Sequence, residues 1–368
     1  MLRVVQWTTG NVGAVAAQVM WRRPDLELVG VYAVSPDKVG VDAGVLCGSG
    51  ETTGVLATDD LDALIGLAPD CICYTPILPD LDLIVRFLEA GINVVTTSNF
   101  FRGDYLGSLG MPEARGRIEE AARSGGASLF GGGYNPGFVT AFPLLMASIN
   151  SHVDFVEMFE AADLSHYPSA AFFGMLGWGQ IPDADGTIER PVFAEMFDGF
   201  LYDALDVIAD AMGFEITDRV VTVDYAVTPR RVECAAMTFE AGTIAGQKAR
   251  WEYKAGAETV MAMNVTWWAA PDLEPNFAAE HAEANGVHRI EITGEPSLEL
   301  EMRLRAPADG DPTQHMRDGI IGTAMNAVNA IPALCAAPPG LRSYLDMPLY
   351  TGLWGKKMHQ EAPAGAGS

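Results

Sequence analysis

The chain has few basic residues, few cysteines and no long hydrophobic run. Its 368 residues include 23 Lys and Arg against 48 Asp and Glu, so the formal net charge is −25 at pH 7. A chain with this charge is repelled by phosphate backbones and by anionic membrane surfaces. We therefore expect neither nucleic acid nor a membrane among its partners.

The five cysteines are too scattered to suggest a metal site or a disulfide framework. They stand at Cys47, Cys71, Cys73, Cys234 and Cys335, without the paired spacing of a zinc site. No basic segment followed by an apolar one opens the chain, and no apolar run approaches the roughly 20 residues that span a bilayer. These absences predict reduced thiols, no bound metal and a cytoplasmic location.

The first third of the chain alternates short apolar runs with helical patterns. A content of 49% hydrophobic residues indicates a globular protein, and the length allows two domains. Strands are predicted at residues 4–7, 28–34, 71–74, 93–97 and 128–130, and helices at 61–67, 81–90 and 112–123. This rhythm predicts an α/β fold with a Rossmann-type, doubly wound parallel sheet over residues 1–136.

The pattern changes after residue 136. Residues 137–306 read as an α+β substrate and dimerisation domain on a mixed or antiparallel sheet. Helices are predicted at 138–149 and 192–212, and strands at 155–159, 220–227, 232–239, 243–253, 260–268, 289–293 and 298–304. Residues 307–360, with a helix over 313–334, are expected to pack back on the first domain, and residues 361–368 to form a disordered tail.

The most informative segment is the turn after the first predicted strand. It contains Gly10, Asn11, Val12 and Gly13, followed at once by an alanine- and valine-rich helical pattern. Unpaired amide groups at a helix N-terminus, together with the helix dipole, form a site for a pyrophosphate. These four residues are therefore predicted to bind a dinucleotide.

The end of the second strand bears on the choice of nucleotide. Ser35 and Lys38 offer a hydroxyl group and a cation, which suit the 2′-phosphate of NADP. Asp37 is the alternative, because a carboxylate at this point would bind the ribose 2′-hydroxyl of NAD. We favour NADP and keep NAD open.

Three later strand ends carry further candidates. Thr75 and Pro76 follow one strand, and Thr97 and Asn99 follow the next. Short polar side chains at these places allow a close approach of a cofactor. Asn135, after three glycines, is predicted to contact the cofactor and to cap a helix that starts at a proline.

Several segments together resemble the dihydrodipicolinate-reductase-like oxidoreductases, most closely the diaminopentanoate dehydrogenases and native amine dehydrogenases. They are Gly10-Asn11-Val12-Gly13, Lys38-Val39-Gly40-Val41-Asp42-Ala43-Gly44, Gly133-Tyr134-Asn135-Pro136-Gly137-Phe138, Ala162-Asp163-Leu164-Ser165-His166-Tyr167, Gly177-Trp178-Gly179, Asn329-Ala330-Ile331-Pro332 and Ala337-Pro338-Pro339-Gly340. The resemblance implies a Rossmann domain, an α+β second domain, a homodimer, and a nicotinamide cofactor in the cleft between the domains.

This sequence departs from the family at one point. Amine dehydrogenases of this kind carry a glutamate just after the Thr-Thr of the fifth strand, where this chain has Ser98-Asn99-Phe100. An asparagine hydrogen-bonds a carbonyl or imine group but cannot act as a general base. Asn99 is therefore predicted to orient the substrate, while another group moves the proton.

Candidates for that group lie on a segment that lines the cleft in the family. Asp163 and Tyr167 are predicted to be catalytic, and Glu160 and His166 are alternatives. The predicted substrate pocket consists of Phe100, His166, Phe173 and Trp178.

The prediction for function is an NAD(P)H-dependent oxidoreductase that transfers hydride to a C=N or C=O carbon of a small, largely apolar molecule. One alternative is a carbonyl or C=C reductase of the same fold that uses no ammonia. An alternative of another class is a nucleotide-binding sensor or scaffold without turnover.

Overall fold

The protein divides into two units, each with its own sheet. A computed structural model describes residues 1–98, 100–107, 111, 113–183, 192–281, 285–305, 314–353 and 355. The first unit contains Met1–Phe138 and Ile320–Ser368, and the second contains Val139–Gly319. Asn99 and the predicted tail at 361–368 lie outside the described residues.

The first unit is built on a parallel sheet of seven strands. These are β1 (Leu2–Trp7), β2 (Leu26–Tyr32), β3 (Ala57–Thr58), β4 (Cys71–Tyr74), β5 (Asn93–Thr96), β6 (Ser128–Gly131) and β15 (Gly340–Arg342). Their order in the sheet is β3-β2-β1-β4-β5-β6-β15, and every pairing is parallel. The first six strands follow the order of dinucleotide-binding folds, so the fold class is confirmed.

Helices of the first unit begin and end where local chemistry predicts. They are α1 (Asn11–Arg22), α2 (Ala43–Leu46), α3 (Leu61–Gly66), α4 (Leu81–Glu89) and α5 (Ala114–Gly125). The carboxylates of Asp60 and Asp80 accept hydrogen bonds from Ala63 N (2.9 Å) and Leu83 N (3.0 Å), which caps α3 and α4. Helix α5 ends at Gly126 in the left-handed conformation.

A long helix late in the chain, α10 (Gln314–Cys335), contributes to the core of the first unit. Ala324, Val328 and Ile331 are fully buried in one apolar cluster with Val4 and Phe130. After this helix the chain adds β15 beside β6, a strand that the sequence pattern does not predict.

The second unit contains a mixed six-stranded sheet and a small hairpin. Its strands are β7 (His152–Asp163), β8 (Asp218–Val227), β9 (Val232–Glu233), β10 (Thr238–Phe239), β11 (Ile244–Ala255), β12 (Glu258–Trp268), β13 (Val287–Glu295) and β14 (Leu298–Arg303). Its helices are α6 (Val139–Met146), α7 (Ala170–Met175), α8 (Val192–Met212) and α9 (Phe277–Glu280). The large sheet has the order β14-β13-β7-β12-β11-β8, in which only the β7–β12 pairing is parallel. None of the helices in the described ranges is apolar enough over a sufficient length to cross a bilayer.

Two local predictions are wrong. The single strand expected over 232–239 is the hairpin of β9 and β10, closed by a bond of 3.0 Å from Cys234 N to Met237 O. Asn135 does not cap a helix, because the residues that follow it are not helical: Pro136 is extended and Gly137 has a φ of +145°. A backbone with that φ cannot be helical, so α6 begins only at Val139.

Candidate functional site

The carboxyl ends of β1 and β4 meet where the strand order of the first sheet reverses. Ligands of open α/β sheets bind at such a point. The turn after β1 leads directly into α1, with Gly10 as the residue before the helix. Asn11 is exposed and Val12 half-buried, so the predicted nucleotide turn lies on the surface at this edge.

Gly13 is required by a close approach of the backbone. A Cβ atom placed on Gly13 would lie 2.3 Å from Thr8 O, 2.7 Å from Thr75 Oγ1 and 2.8 Å from Gln6 Nε2. Thr8 itself has a φ of +72°, which a threonine rarely adopts. The turn is therefore folded tightly onto the first residues of α1.

Hydrogen bonds tie this turn to the end of β4. Thr75 N donates to Trp7 O (3.3 Å), and the Thr75 hydroxyl group donates to the same oxygen (3.0 Å). The buried amide of Gln6 reaches both Thr8 O and Thr75 Oγ1 at 2.9 Å. Gln6 was not predicted, although a glutamine in an otherwise apolar strand is a signal of a functional position.

Lys38, the cation predicted to bind the 2′-phosphate, also lies at this edge of the sheet. Lys38 lies in a short 3₁₀ turn, Pro36–Lys38, after β2. Its Nζ donates to Thr9 O (3.3 Å) and Thr9 Oγ1 (3.2 Å), so the ammonium group lies at the residue directly before Gly10. Ser35 and Asp37 are both exposed beside it.

The ends of β4 and β5 are joined in the same way. Thr97 N donates to Tyr74 O (3.1 Å), and the buried hydroxyl group of Ser98 donates to Pro76 O. Pro76, after β4, and Thr97, after β5, are both half-buried. Of the predicted cofactor residues, the structure thus brings Gly10 to Gly13, Lys38, Thr75, Pro76 and Thr97 to one edge of the sheet.

A buried asparagine on α10 holds the glycine run after β6. Asn326 Oδ1 accepts from Gly133 N and from the Tyr344 hydroxyl group, both at 2.9 Å, and Asn326 Nδ2 donates to Tyr350 Oη at 3.1 Å. A Cβ atom on Gly132 would lie 2.4 Å from Asn326 Oδ1. Asn326 was not predicted, because its contact with Gly133 spans nearly 200 residues of sequence.

Phe100, Phe173 and Trp178, predicted to line the substrate pocket, are buried within their own units. Phe100 is fully buried in the first unit beside Tyr105, with ring centroids 6.1 Å apart. Phe173 stacks on Trp178 at 5.1 Å in the core of the second unit. The Trp178 indole donates to Gln247 Oε1 at 3.0 Å. Aromatic residues fill cores and pockets alike, so sequence could not separate the two uses.

The predicted proton donors cluster at the end of β7 in the second unit. Asp163 is the last residue of that strand and half-buried, and its Oδ1 accepts from Ser165 N at 2.8 Å. Tyr167 packs against Phe172 (5.0 Å), and burial raises the pKa of its phenol. His166 lies between them in sequence and is exposed.

Glu160 lies deeper on the same strand. Its Oε1 accepts from the indole of Trp267 at 3.0 Å, and its Oε2 is 4.0 Å from His288 Nδ1. Burial, opposed by the charge of Glu160, lowers the pKa of His288, so this histidine is neutral at pH 7. These contacts satisfy Glu160 inside the second unit, whereas the Asp163 carboxylate is more accessible.

Comparison with known proteins gives matches along the whole chain. Residues 197–362 match the family model for the 2,4-diaminopentanoate dehydrogenase C-terminal domain. The chain is 29% identical over 359 residues to an amine dehydrogenase of Streptomyces virginiae, covering 95% of this chain and 97% of the relative.

Solved structures match in fold. An amine dehydrogenase from Mycobacterium smegmatis has a TM-score of 0.72 at 21% identity, with 96% of this chain and 97% of that chain covered. GenD2 from gentamicin A biosynthesis, in complex with NAD, has a TM-score of 0.50 at 13% identity, with 94% and 89% covered. The solved structures show the fold, and the family-model match together with the relative at 29% identity confirms the resemblance inferred from the sequence motifs.

Proposed function

We propose that this chain, a relative of the amine dehydrogenases, is an NAD(P)-dependent oxidoreductase. The observation that carries the proposal is the turn between β1 and α1, where Gly13 leaves room for the carbonyl group of Thr8. This turn stands at the reversal point of a sheet with the strand order of dinucleotide-binding folds. The similarity to an amine dehydrogenase at 29% identity supports the same conclusion.

The residues at the sheet edge fit a nicotinamide dinucleotide. Backbone amides of Gly10 to Gly13 would hold the diphosphate at the N-terminus of α1. Lys38, with Ser35 exposed beside it, would bind the 2′-phosphate of NADP, and we favour NADP over NAD for that reason. When bound, the nicotinamide supplies or accepts the hydride, and the protein supplies position and charge.

The proposed reaction is hydride transfer to a C=N or C=O carbon of a small, largely apolar substrate. Asn99 would hydrogen-bond the heteroatom of that group. Asp163 or Tyr167 would deliver the proton, and the raised pKa of Tyr167 keeps its phenol protonated and able to donate. The half-buried carboxylate of Asp163, at the end of β7, is the other candidate for this role.

A second candidate function is reduction of a carbonyl group without ammonia. The observation that favours it is the segment Ser98-Asn99-Phe100, which has no carboxylate where the family resemblance implies a glutamate. Without a carboxylate at this point, the activation of ammonia by the family route has no base.

The test is a turnover assay with a panel of small ketones and reduced nucleotide, with and without ammonium. The loss of nicotinamide absorbance measures the rate. Turnover that requires ammonium supports amine chemistry, and turnover independent of ammonium supports the second candidate. Tight nucleotide binding without any turnover would favour a sensor and refute both.

The variant Asn99→Glu is expected to raise ammonium-dependent activity, with Asn99→Gln as the matched control that adds length without charge.

A further inference from the structure

Gln6 occupies a position where a parallel sheet normally carries an apolar side chain. It stands in β1, paired with Val31 on one side and Cys73 on the other, and it is 0% exposed. Central strands of parallel sheets are buried on both faces and read as apolar runs. A polar side chain at this depth needs specific partners.

The hydrogen-bond partners of the Gln6 amide all contact its nitrogen. Nε2 lies 2.9 Å from Thr8 O, 2.9 Å from Thr75 Oγ1 and 3.2 Å from Trp7 O. The hydroxyl group of Thr75 donates its own proton to Trp7 O, so it accepts from Gln6. The opposite amide orientation would place an oxygen against two carbonyl oxygens, which fixes the assignment.

The amide oxygen of Gln6 differs from the nitrogen in its hydrogen bonding. Oε1 is buried and makes no hydrogen bond to any residue that the structure describes. A buried acceptor without a partner is destabilising, and an apolar side chain of similar shape would avoid that cost. Stability of the strand alone therefore does not account for a glutamine at this position.

We infer that Gln6 is a positioning residue for the nucleotide site, an inference that rests on the proposed function. By donating to Thr8 O, its amide holds Thr8 at a φ of +72°. By donating to Thr75 Oγ1, it fixes the glycine turn to the end of β4. The diphosphate turn and the strand end beside it then form one preorganised unit before the nucleotide arrives.

The test compares Gln6→Met, which keeps the length but has no donor, with the wild-type chain. We expect Gln6→Met to raise the Kd and KM for the nucleotide about tenfold or more, from the loss of buried hydrogen bonds, while kcat at saturating nucleotide changes little. The matched control is Asn93→Leu, at the amino end of β5. Asn93 also donates to a carbonyl group (Asp70 O, 2.9 Å) and accepts an amide (Ser128 N, 2.9 Å), and its loss should leave the nucleotide KM unchanged.

A double-mutant cycle with Thr75→Val separates positioning from general packing. Gln6→Met should weaken nucleotide binding less in the Thr75→Val background than in the wild type, because the Gln6–Thr75 hydrogen bond is already lost there while the bond to Thr8 O remains. Equal effects in both backgrounds, or a nucleotide KM unchanged by Gln6→Met, would overturn the inference. If Gln6→Met does not fold, Gln6→Leu, which also lacks the donor and adds no charge, replaces it in the same cycle. Absence of nucleotide binding by the wild type would instead refute the proposed function.

Discussion

Replacement of Gly13 by alanine tests the nucleotide turn through a single added methyl group. The new Cβ atom would lie 2.3 Å from Thr8 O, a distance that real Cβ contacts do not show. Thr8 O is a backbone atom, and Gln6 and Thr75, the other two neighbours, are themselves hydrogen-bonded to the turn. The turn must therefore move as a whole.

The magnitude follows from measured costs of overpacking. An extra methyl group in a tightly packed place costs about 1–3 kcal/mol. If the added methyl group raises the free energy of the nucleotide-bound form alone, binding weakens by roughly fivefold to 150-fold. If it raises the free energy of the folded protein without nucleotide, the midpoint of thermal unfolding falls by about 2–4 °C for each kcal/mol.

The assay combines thermal unfolding with fluorescence titration of NADPH. The matched control is Gly116→Ala inside α5, where an added Cβ atom meets nothing within 4 Å. This control should gain about 0.5–1 kcal/mol, because alanine is favoured over glycine in a helix, and should bind the nucleotide as the wild type does. A Gly13→Ala protein that matches the wild type in both midpoint and affinity would refute the close approach at Gly13.

Two further substitutions test single roles at the site. Lys38→Ala should weaken the binding of NADPH about tenfold or more and leave that of NADH nearly unchanged, since the lost contact is to the 2′-phosphate; equal losses for both nucleotides would argue against this role. Asp163→Asn keeps the acceptor for Ser165 N but removes the acid, so kcat should fall by about 10²–10⁴. The helix-capping variant Asp60→Asn, which should leave kcat unchanged, is its control, and an unaltered kcat in Asp163→Asn would transfer the role to Tyr167.

Sequence patterns were sufficient for five of the seven strands in the first unit's sheet and for the glycine turn. Both follow from local rules: β4 is a short run of four buried residues between turns, and α1 begins directly after Gly10. The long helix α8 also has the bounds that its apolar period predicts, because a period of three to four residues over six turns is hard to mistake.

Other features depend on contacts that are distant in sequence. Asn326 reaches Gly133 from α10, and β15 adds to β6 after more than 200 residues. The failure at Asn135 has a different cause, since the sequence Asn-Pro is equally compatible with a helix start and with the extended turn that Gly137 completes. No local pattern distinguishes such alternatives.

The turn between β1 and α1 is expected to bind a pyridine dinucleotide. The most direct measurement is isothermal titration calorimetry of the purified wild-type chain with NADPH and with NADH. We expect saturable binding of at least one nucleotide, with NADPH the tighter, and a loss of affinity in Gly13→Ala. No detectable binding of either nucleotide would contradict it.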